Sequence, residues 1–396
     1  MMKINTSLFV FILFIISSCH SNKQENTNNM QDSSKNIIPA MPVPAAFDTM
    51  IDGKAVHLFI LKNEYLSVAI TNYGARVVSL LVPDKNGKLI DISIGYDSIK
   101  PYTEGSDTYF GAIAGRYANR IAKGKFILDG NQYTLATNNG INHLHGGNKG
   151  YSRMVWDGKK ENDSTLILKY FSKDGEEGYP GNLQVSVTYT LTKNSLEINY
   201  EATTDKNTII NLTNHTYFNL NGAGNGKIDG HLMMIHANEF TPIDSTLIPT
   251  GEFKNVKGTP FDFHTLTAIG THINDSTNQQ ILYGKGFDHN FVLAKAANSL
   301  QKCAEVIGDQ SGIKMEVWTT EPGLQFYSGN FMDGTHALKN GFKDDHRTAF
   351  CLETQHFPDS PNEARFPSTE LKPGDTFRSK TAYFFGKQRK CGAKAG

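Results

Sequence analysis

Residues 183–191 read Leu-Gln-Val-Ser-Val-Thr-Tyr-Thr-Leu, and beyond Lys193-Asn194 the chain resumes as Leu196-Glu197-Ile198-Asn199-Tyr200. Apolar and polar side chains alternate with a period of two, which in an extended chain turns one set to a core and the other to water. Val, Thr and Tyr favour that pleated setting. Two such runs around a short polar turn predict an antiparallel hairpin.

The pattern recurs outward in both directions. Lys125-Phe126-Ile127-Leu128 leads through Asp129-Gly130-Asn131 into Gln132-Tyr133-Thr134-Leu135, with turn residues able to take positive φ. Residues 165–171, 313–320 and 381–385 are further strand candidates. Helical stretches are few and short, and nothing reads as βαβ, which argues against a parallel α/β sheet. The absence of a fixed-period repeat argues against a propeller or solenoid. Many antiparallel strands in one chain predict an all-β fold: a large antiparallel β-sandwich, two sheets packed face to face. One domain is expected over residues 45–388, followed by a short tail at 389–396.

Composition agrees. The 36 Gly and 16 Tyr suit a turn-rich β protein, and 39% hydrophobic residues suffice for a packed core. With 39 basic against 39 acidic residues the formal net charge is zero, and no basic cluster marks a nucleic-acid partner.

The first 18 residues read as a targeting segment. Lys3 gives a basic start, residues 8–16 form an apolar run too short to span a bilayer, and Ser17-Ser18 precede Cys19. This order resembles a bacterial lipoprotein signal, in which Cys19 is lipidated and heads the mature chain. Residues 19–44 then form a tether: 20–38 are rich in Asn, Ser, Gln and Lys, and Pro39, Pro42 and Pro44 stiffen the approach. The expected location is the bacterial cell envelope, anchored by lipid alone and facing the periplasm. Cys303, Cys351 and Cys391 show no metal-ligand spacing, and their odd number argues against a full disulfide framework. Cys351 is read as a core residue on the strand face opposite Glu353.

Four clusters place charged or imidazole groups beside glycine or aromatic residues. They are Gly115-Arg116-Tyr117-Ala118-Asn119-Arg120-Ile121, Asn142-His143-Leu144-His145-Gly146-Gly147, Asn214-His215-Thr216-Tyr217-Phe218-Asn219 and Leu352-Glu353-Thr354-Gln355-His356-Phe357. Either Arg alone reads as structural. His143 and His145, two apart in an extended segment, are expected on one side, with Gly-Gly letting the backbone approach a ligand. Between the last two clusters lie Gly286-Phe287-Asp288-His289-Asn290 and Glu321-Pro322-Gly323-Leu324-Gln325-Phe326-Tyr327. A structural role explains any one cluster as well as a functional one. Together they hold His, Asp, Glu, Arg, Asn and Gln amid Phe and Tyr, the chemistry of a sugar site. Three rivals stand beside this reading. A glycoside hydrolase would use two carboxylates such as Asp288 and Glu353. A lectin-like domain would bind without catalysis, and His143, His145, His215 and His356 would form a zinc site.

In sequence order these six motifs, from Tyr73-Gly74-Ala75 to about Phe384, resemble the aldose 1-epimerase (galactose mutarotase) family. The resemblance implies a large antiparallel β-sandwich that interconverts α and β anomers of free hexoses such as glucose and galactose, with no cofactor and no metal. It implies Glu353 as general base and His215 as general acid. It gives His145 a hydrogen bond near the ring oxygen, and hydroxyl binding to Asn119, Arg120, Asp288 and Gln325. One departure is His264, where arginine is more usual; it lies outside that set.

Overall fold

The strand Leu183–Thr192 buries every second residue, Leu183 through Leu191, and pairs along its whole length with Ser195–Thr204. Tyr189 lies opposite Ile198 and Val187 opposite Tyr200, so one face of the hairpin is continuous core. Lys193 turns the chain at φ 50°. The second predicted hairpin forms from Lys125–Leu128 and Asn131–Thr134, with Asp129 and Gly130 both at positive φ.

These coordinates are a computed structural model that describes residues 41–105, 109–294 and 299–387. Residues 1–18, Cys19, Cys391 and the tail at 389–396 lie outside them. Pro42 is buried and Met41 packs against a core cluster, so packing reaches back past residue 45.

The hairpin belongs to a nine-stranded antiparallel sheet. Its order is Asp157–Asn162, Thr165–Ser172, Leu183–Thr192, Ser195–Thr204, Phe377–Lys387, Ile313–Thr319, Gln301–Ile307, Leu232–Ile235 and Thr267–Ala268. A six-stranded antiparallel sheet runs Tyr217–Phe218, Phe350–Gln355, Gly323–Tyr327, Asp288–Leu293, Ala237–Phe240 and Lys254–Asn255. Val187, Tyr200, Met315 and Tyr383 of the first share a core with Phe291, Leu324, Phe326 and Leu352 of the second. The rings of Phe218 and Tyr383 meet at 5.2 Å across that interface. Two sheets that each bury a face this way make the predicted sandwich. Among the described residues the α-helices are Lys100–Glu104 and Gln279–Gly284, and neither is long or apolar enough to cross a membrane.

Strand alternation gives the six-stranded sheet two unlike faces. Phe291, Leu324, Phe326 and Leu352 look into the core. The residues between them are Asp288, Asn290, Gln325, Tyr327, Cys351, Glu353 and Tyr217. The ladder aligns Asn290 with Gln325 and Glu353, and Asp288 with Tyr327, Cys351 and Tyr217. This polar face carries the site.

Candidate active site

His215 follows the short strand Thr213–Asn214, which pairs with Ile113–Ala114, and its N–H donates to the Ala112 carbonyl at 2.8 Å. The polar residues around it hold backbone. Asn214 donates to the Gly111 carbonyl and Asn211 to that of Ala118, while Asn211 accepts from the His356 N–H. They fasten the loop at 111–118 to the sheet and so aim the imidazole.

Asn119 and Arg120 approach from that loop. Arg120–Ile121 pairs with His143–Leu144, after which His145 takes φ 48° and leaves the strand. That break separates the two histidines. His143 is buried against the Ala136 carbonyl at 2.7 Å and the Tyr179 hydroxyl at 2.6 Å, whereas the His145 ring lies 5.1 Å from that of His215. The glycines serve packing, not a ligand: a Cβ on Gly146 would overlap the Gly115 carbonyl, and one on Gly147 the Glu177 carboxylate.

A cavity of about 300 Å³ is lined by Tyr109, Asn119, Arg120, Asn139, Leu144, His145, His215, Tyr217, Leu247, Asp288, Tyr327, Phe331 and Glu353. Six of the seven predicted substrate-handling residues are on that wall. Gln325 stands behind, donating to Asp288 Oδ1 at 2.7 Å, while Arg120 Nη1 lies 3.7 Å from Asp288 Oδ2. Arg116 is elsewhere: it is buried and donates to the Pro180 and Gly181 carbonyls. His356 points to the far side of its strand, 2.6 Å from the Glu321 carboxylate. It borders a larger groove of about 780 Å³ that holds none of the seven. His264 pairs with Asp262, also outside the cavity. Sequence reading missed Tyr109, Asn139, Leu247 and Phe331; the Tyr109 ring stacks 5.7 Å from that of His215, and the Asn139 side-chain oxygen accepts from Arg120 Nε.

At the centre, His215 Nε2 lies 3.6 Å from Glu353 Oε1, both side chains buried. Burial lowers the imidazole to about 3, opposed by a hydrogen bond with the His215 backbone and reinforced by the Arg76 charge. Burial, then the Asp288 charge, pushes the Glu353 carboxyl well above its usual range, against the pull of Arg120. Burial also raises Asp288. The His215 depression amounts to about 5 kcal/mol against the imidazolium. Imidazolium and carboxylate at this separation attract by about 5 kcal/mol at an effective dielectric of about 20. Burial of each group favours a neutral imidazole beside a carboxylic acid, and the attraction between their charged forms opposes it. The neutral and charged pairs hold the same single proton. Glu353 Oε2 and Gln325 Oε1 are buried acceptors without partners. Such acceptors suit a ligand rich in hydroxyls.

Ligand atoms of His145, His215 and Glu353 lie within 4.8 Å of one another, a spacing that would fit a metal. The His145 ring argues otherwise. Its Nδ1 accepts from the Asn119 N–H at 3.1 Å, so the ring proton sits on Nε2, which is then a donor and not a ligand. The predicted four-histidine set does not assemble.

An acid–base pair, amide and guanidinium groups, and aromatic rings around a small cavity on a sandwich face define a carbohydrate-handling β-sandwich protein. Comparison with known proteins narrows this. The aldose 1-epimerase family model matches residues 57–383. Galactose mutarotase of Sus scrofa is 44% identical over 330 residues, covering 83% of this chain and 94% of that protein. Aldose 1-epimerase of Escherichia coli is 36% identical over 338 residues, 84% and 96% of the two chains. The crystal structure of an aldose epimerase homologue from C. elegans superposes with a TM-score of 0.78 at 30% identity, covering 85% of this chain and all of that one. Galactose 1-epimerase from Lactobacillus acidophilus gives 0.75 at 28% identity, covering 86% and 97%. The chain belongs to the aldose 1-epimerase family.

Proposed function

We propose that Glu353 and His215 open and reclose the ring of a free aldohexose such as glucose or galactose in this cavity, interconverting its α and β anomers. The protein is an aldose 1-epimerase, an isomerase acting on carbohydrate. The observation that carries the residue assignment is the buried His215–Glu353 pair facing a cavity at the small end of the range for ligand sites.

Sugar hydroxyls and Arg120 stabilise the Glu353 carboxylate, and the shared proton passes to His215. Glu353 then removes the proton from the anomeric hydroxyl as His215 Nε2 protonates the ring oxygen. The bond between the anomeric carbon and the ring oxygen breaks, and the anomeric carbon becomes an aldehyde. Rotation about the bond between the first two carbons presents the other face, and the same groups in reverse reclose the ring. Each positioned acid or base contributes about 10²–10⁴ in rate. His145, through Nε2–H, donates to the sugar near the ring oxygen. Asn119, Arg120 and Asp288 bind hydroxyls, and Gln325 acts through Asp288, to which it donates. No step needs a metal or redox cofactor.

Polarimetry of freshly dissolved α-glucose or α-galactose tests this. The protein accelerates equilibration, and Glu353→Gln and His215→Ala each remove most of the acceleration while leaving the fold intact. Full activity in either variant overturns the assignment. The further reading, that Cys19 carries a lipid anchor in a bacterial envelope, is supported by the apolar run and small residues before it. Labelled fatty-acid incorporation that is lost in Cys19→Ala tests it; unlabelled protein from the intact gene overturns it.

A further inference from the structure

Cys351 is not turned away from the chemistry. Residues two apart on a strand share a face, so Cys351 and Glu353 both look into the polar side of the sheet. Cys351 Sγ lies 3.5 Å from His215 Nδ1, and the thiol is buried. His215 therefore has Glu353 at one ring nitrogen and a sulfur at the other.

We propose that Cys351 is a positioning residue whose sulfur accepts the Nδ1 proton of His215, leaving Nε2 to give and take the proton that moves. This rests on the acid role proposed for His215. The chemistry chooses the direction of the hydrogen bond. A thiol donating to Nδ1 would place the neutral ring's proton on Nε2, facing the proton of Glu353, and that nitrogen could not receive it. With Nδ1–H directed at sulfur, Nε2 of the neutral ring accepts from the Glu353 carboxylic acid. In the imidazolium both nitrogens are protonated and only Nε2 discharges to the ring oxygen. The Nδ1 proton stays in place throughout.

The identity of the acceptor matters as much as its position. A thiol sulfur is a weak acceptor. A carboxylate there would stabilise the imidazolium and make it a poorer acid. Sulfur orients the ring while leaving it acidic enough to protonate an ether-like oxygen. Burial, then the charges of Glu353 and Asp288, hold the Cys351 thiol well above its usual range, so it stays neutral beside the acid. The other groups facing His215 are Tyr109 and Tyr217, stacked on its ring at 5.7 and 4.9 Å, His145 edge-on, and Arg76 acting through its charge. The Cys351 sulfur stands within hydrogen-bond reach of Nδ1.

Three measurements on the full chain decide the matter. Nitrogen-15 spectra of the resting enzyme should show His215 protonated at Nδ1, and Cys351→Ala should convert this to a tautomer mixture. In steady-state polarimetry Cys351→Ala should lower kcat about tenfold with KM changed less than twofold, and move the acid limb of the kcat–pH profile. Cys351→Ser, which restores a polar acceptor, should recover kcat to within about threefold. A packing role alone predicts the reverse order, since a buried serine hydroxyl fits an apolar niche worse than alanine, and predicts no shift in the pH profile. An Nε2–H tautomer in the resting enzyme, or an unchanged kcat and pH profile in folded Cys351→Ala, overturns the proposal. His215→Ala separates the two ideas: if it retains activity the acid assignment fails, whereas loss in His215→Ala with no effect at Cys351 removes only the role of the sulfur.

Discussion

The Asn119 N–H meets Nδ1 of His145 at 3.1 Å, and this contact between two residues at positive φ decides what the histidine offers a ligand. With its lone pair committed to Nδ1, His145 presents an N–H at Nε2. The expected consequence is insensitivity to chelators. Polarimetric activity should be unchanged after exhaustive EDTA dialysis, and metal analysis should find no stoichiometric zinc. Loss of activity on dialysis with recovery on zinc addition would contradict this geometry.

His215 Nε2 lies 3.6 Å from Glu353 Oε1, and in the proposed mechanism the pair holds one proton and acts as a unit. Glu353→Gln and His215→Ala should each lower kcat by about 10²–10⁴. The double variant should be no slower than about threefold below the worse single one, because each alone already disables the transfer. Multiplicative losses in the double variant would show that the two residues work independently.

In the proposed mechanism, activity needs that pair to hold one proton. A second proton is taken only below the depressed His215 value of about 3, and the single proton is lost only above the raised Glu353 value. The kcat/KM profile of the free enzyme should therefore be flat through neutrality, with both limbs displaced outward. A bell centred on the ordinary histidine value would contradict the directions of both shifts.

Asp288 raises Glu353 by its charge and is held by Gln325 and Arg120. Asp288→Asn removes that charge, so the Glu353 carboxyl ionises at lower pH and the alkaline limb moves down. KM should rise about tenfold as a hydroxyl acceptor is weakened. An alkaline limb that stays in place would disconnect the two carboxyls.

His289, on the core face behind the site, is buried against the Phe261 ring at 4.6 Å, and burial lowers it to about 3. An unfolded histidine titrates near 6.5. The unfolded chain therefore takes the proton first: stability is full above that value and is lost as pH falls toward the folded one. This single group contributes up to about 3 kcal/mol of destabilisation by about pH 4. His143, also lowered by burial, acts with the same sign. Melting temperature should fall on acidification, and His289→Gln, which keeps an acceptor for the Asp288 N–H, should make the decline shallower. An unchanged slope would assign acid sensitivity to other groups.

Much of this was legible in the chain itself. Strand alternation is local: Leu183 through Tyr200 state their period and turn within a few residues, so the hairpin and its buried face follow from steric rules alone. The motifs around His215 and Glu353 likewise identified the pair that tertiary structure brings together, although 137 positions lie between them. Position within a motif did not reveal which neighbours join them. His143 and His145 separate because one residue enters positive φ. His356 lies just past the end of the Glu353 strand and borders another groove. Cys351 differs from Glu353 by an even step and meets the imidazole, which the same alternation rule, correctly applied, would have indicated.

The sequence alone determined the β-sandwich, the family resemblance and the inventory of acid, base and hydroxyl-binding groups, because these depend on short-range periodicity and residue chemistry. Only the folded chain decided which nitrogen of each histidine carries a proton, how far burial displaces Glu353 and His215, and which side chains line one cavity. Those properties arise from contacts between segments remote in sequence and from the exclusion of water around them, and neither is encoded in any single stretch of the chain.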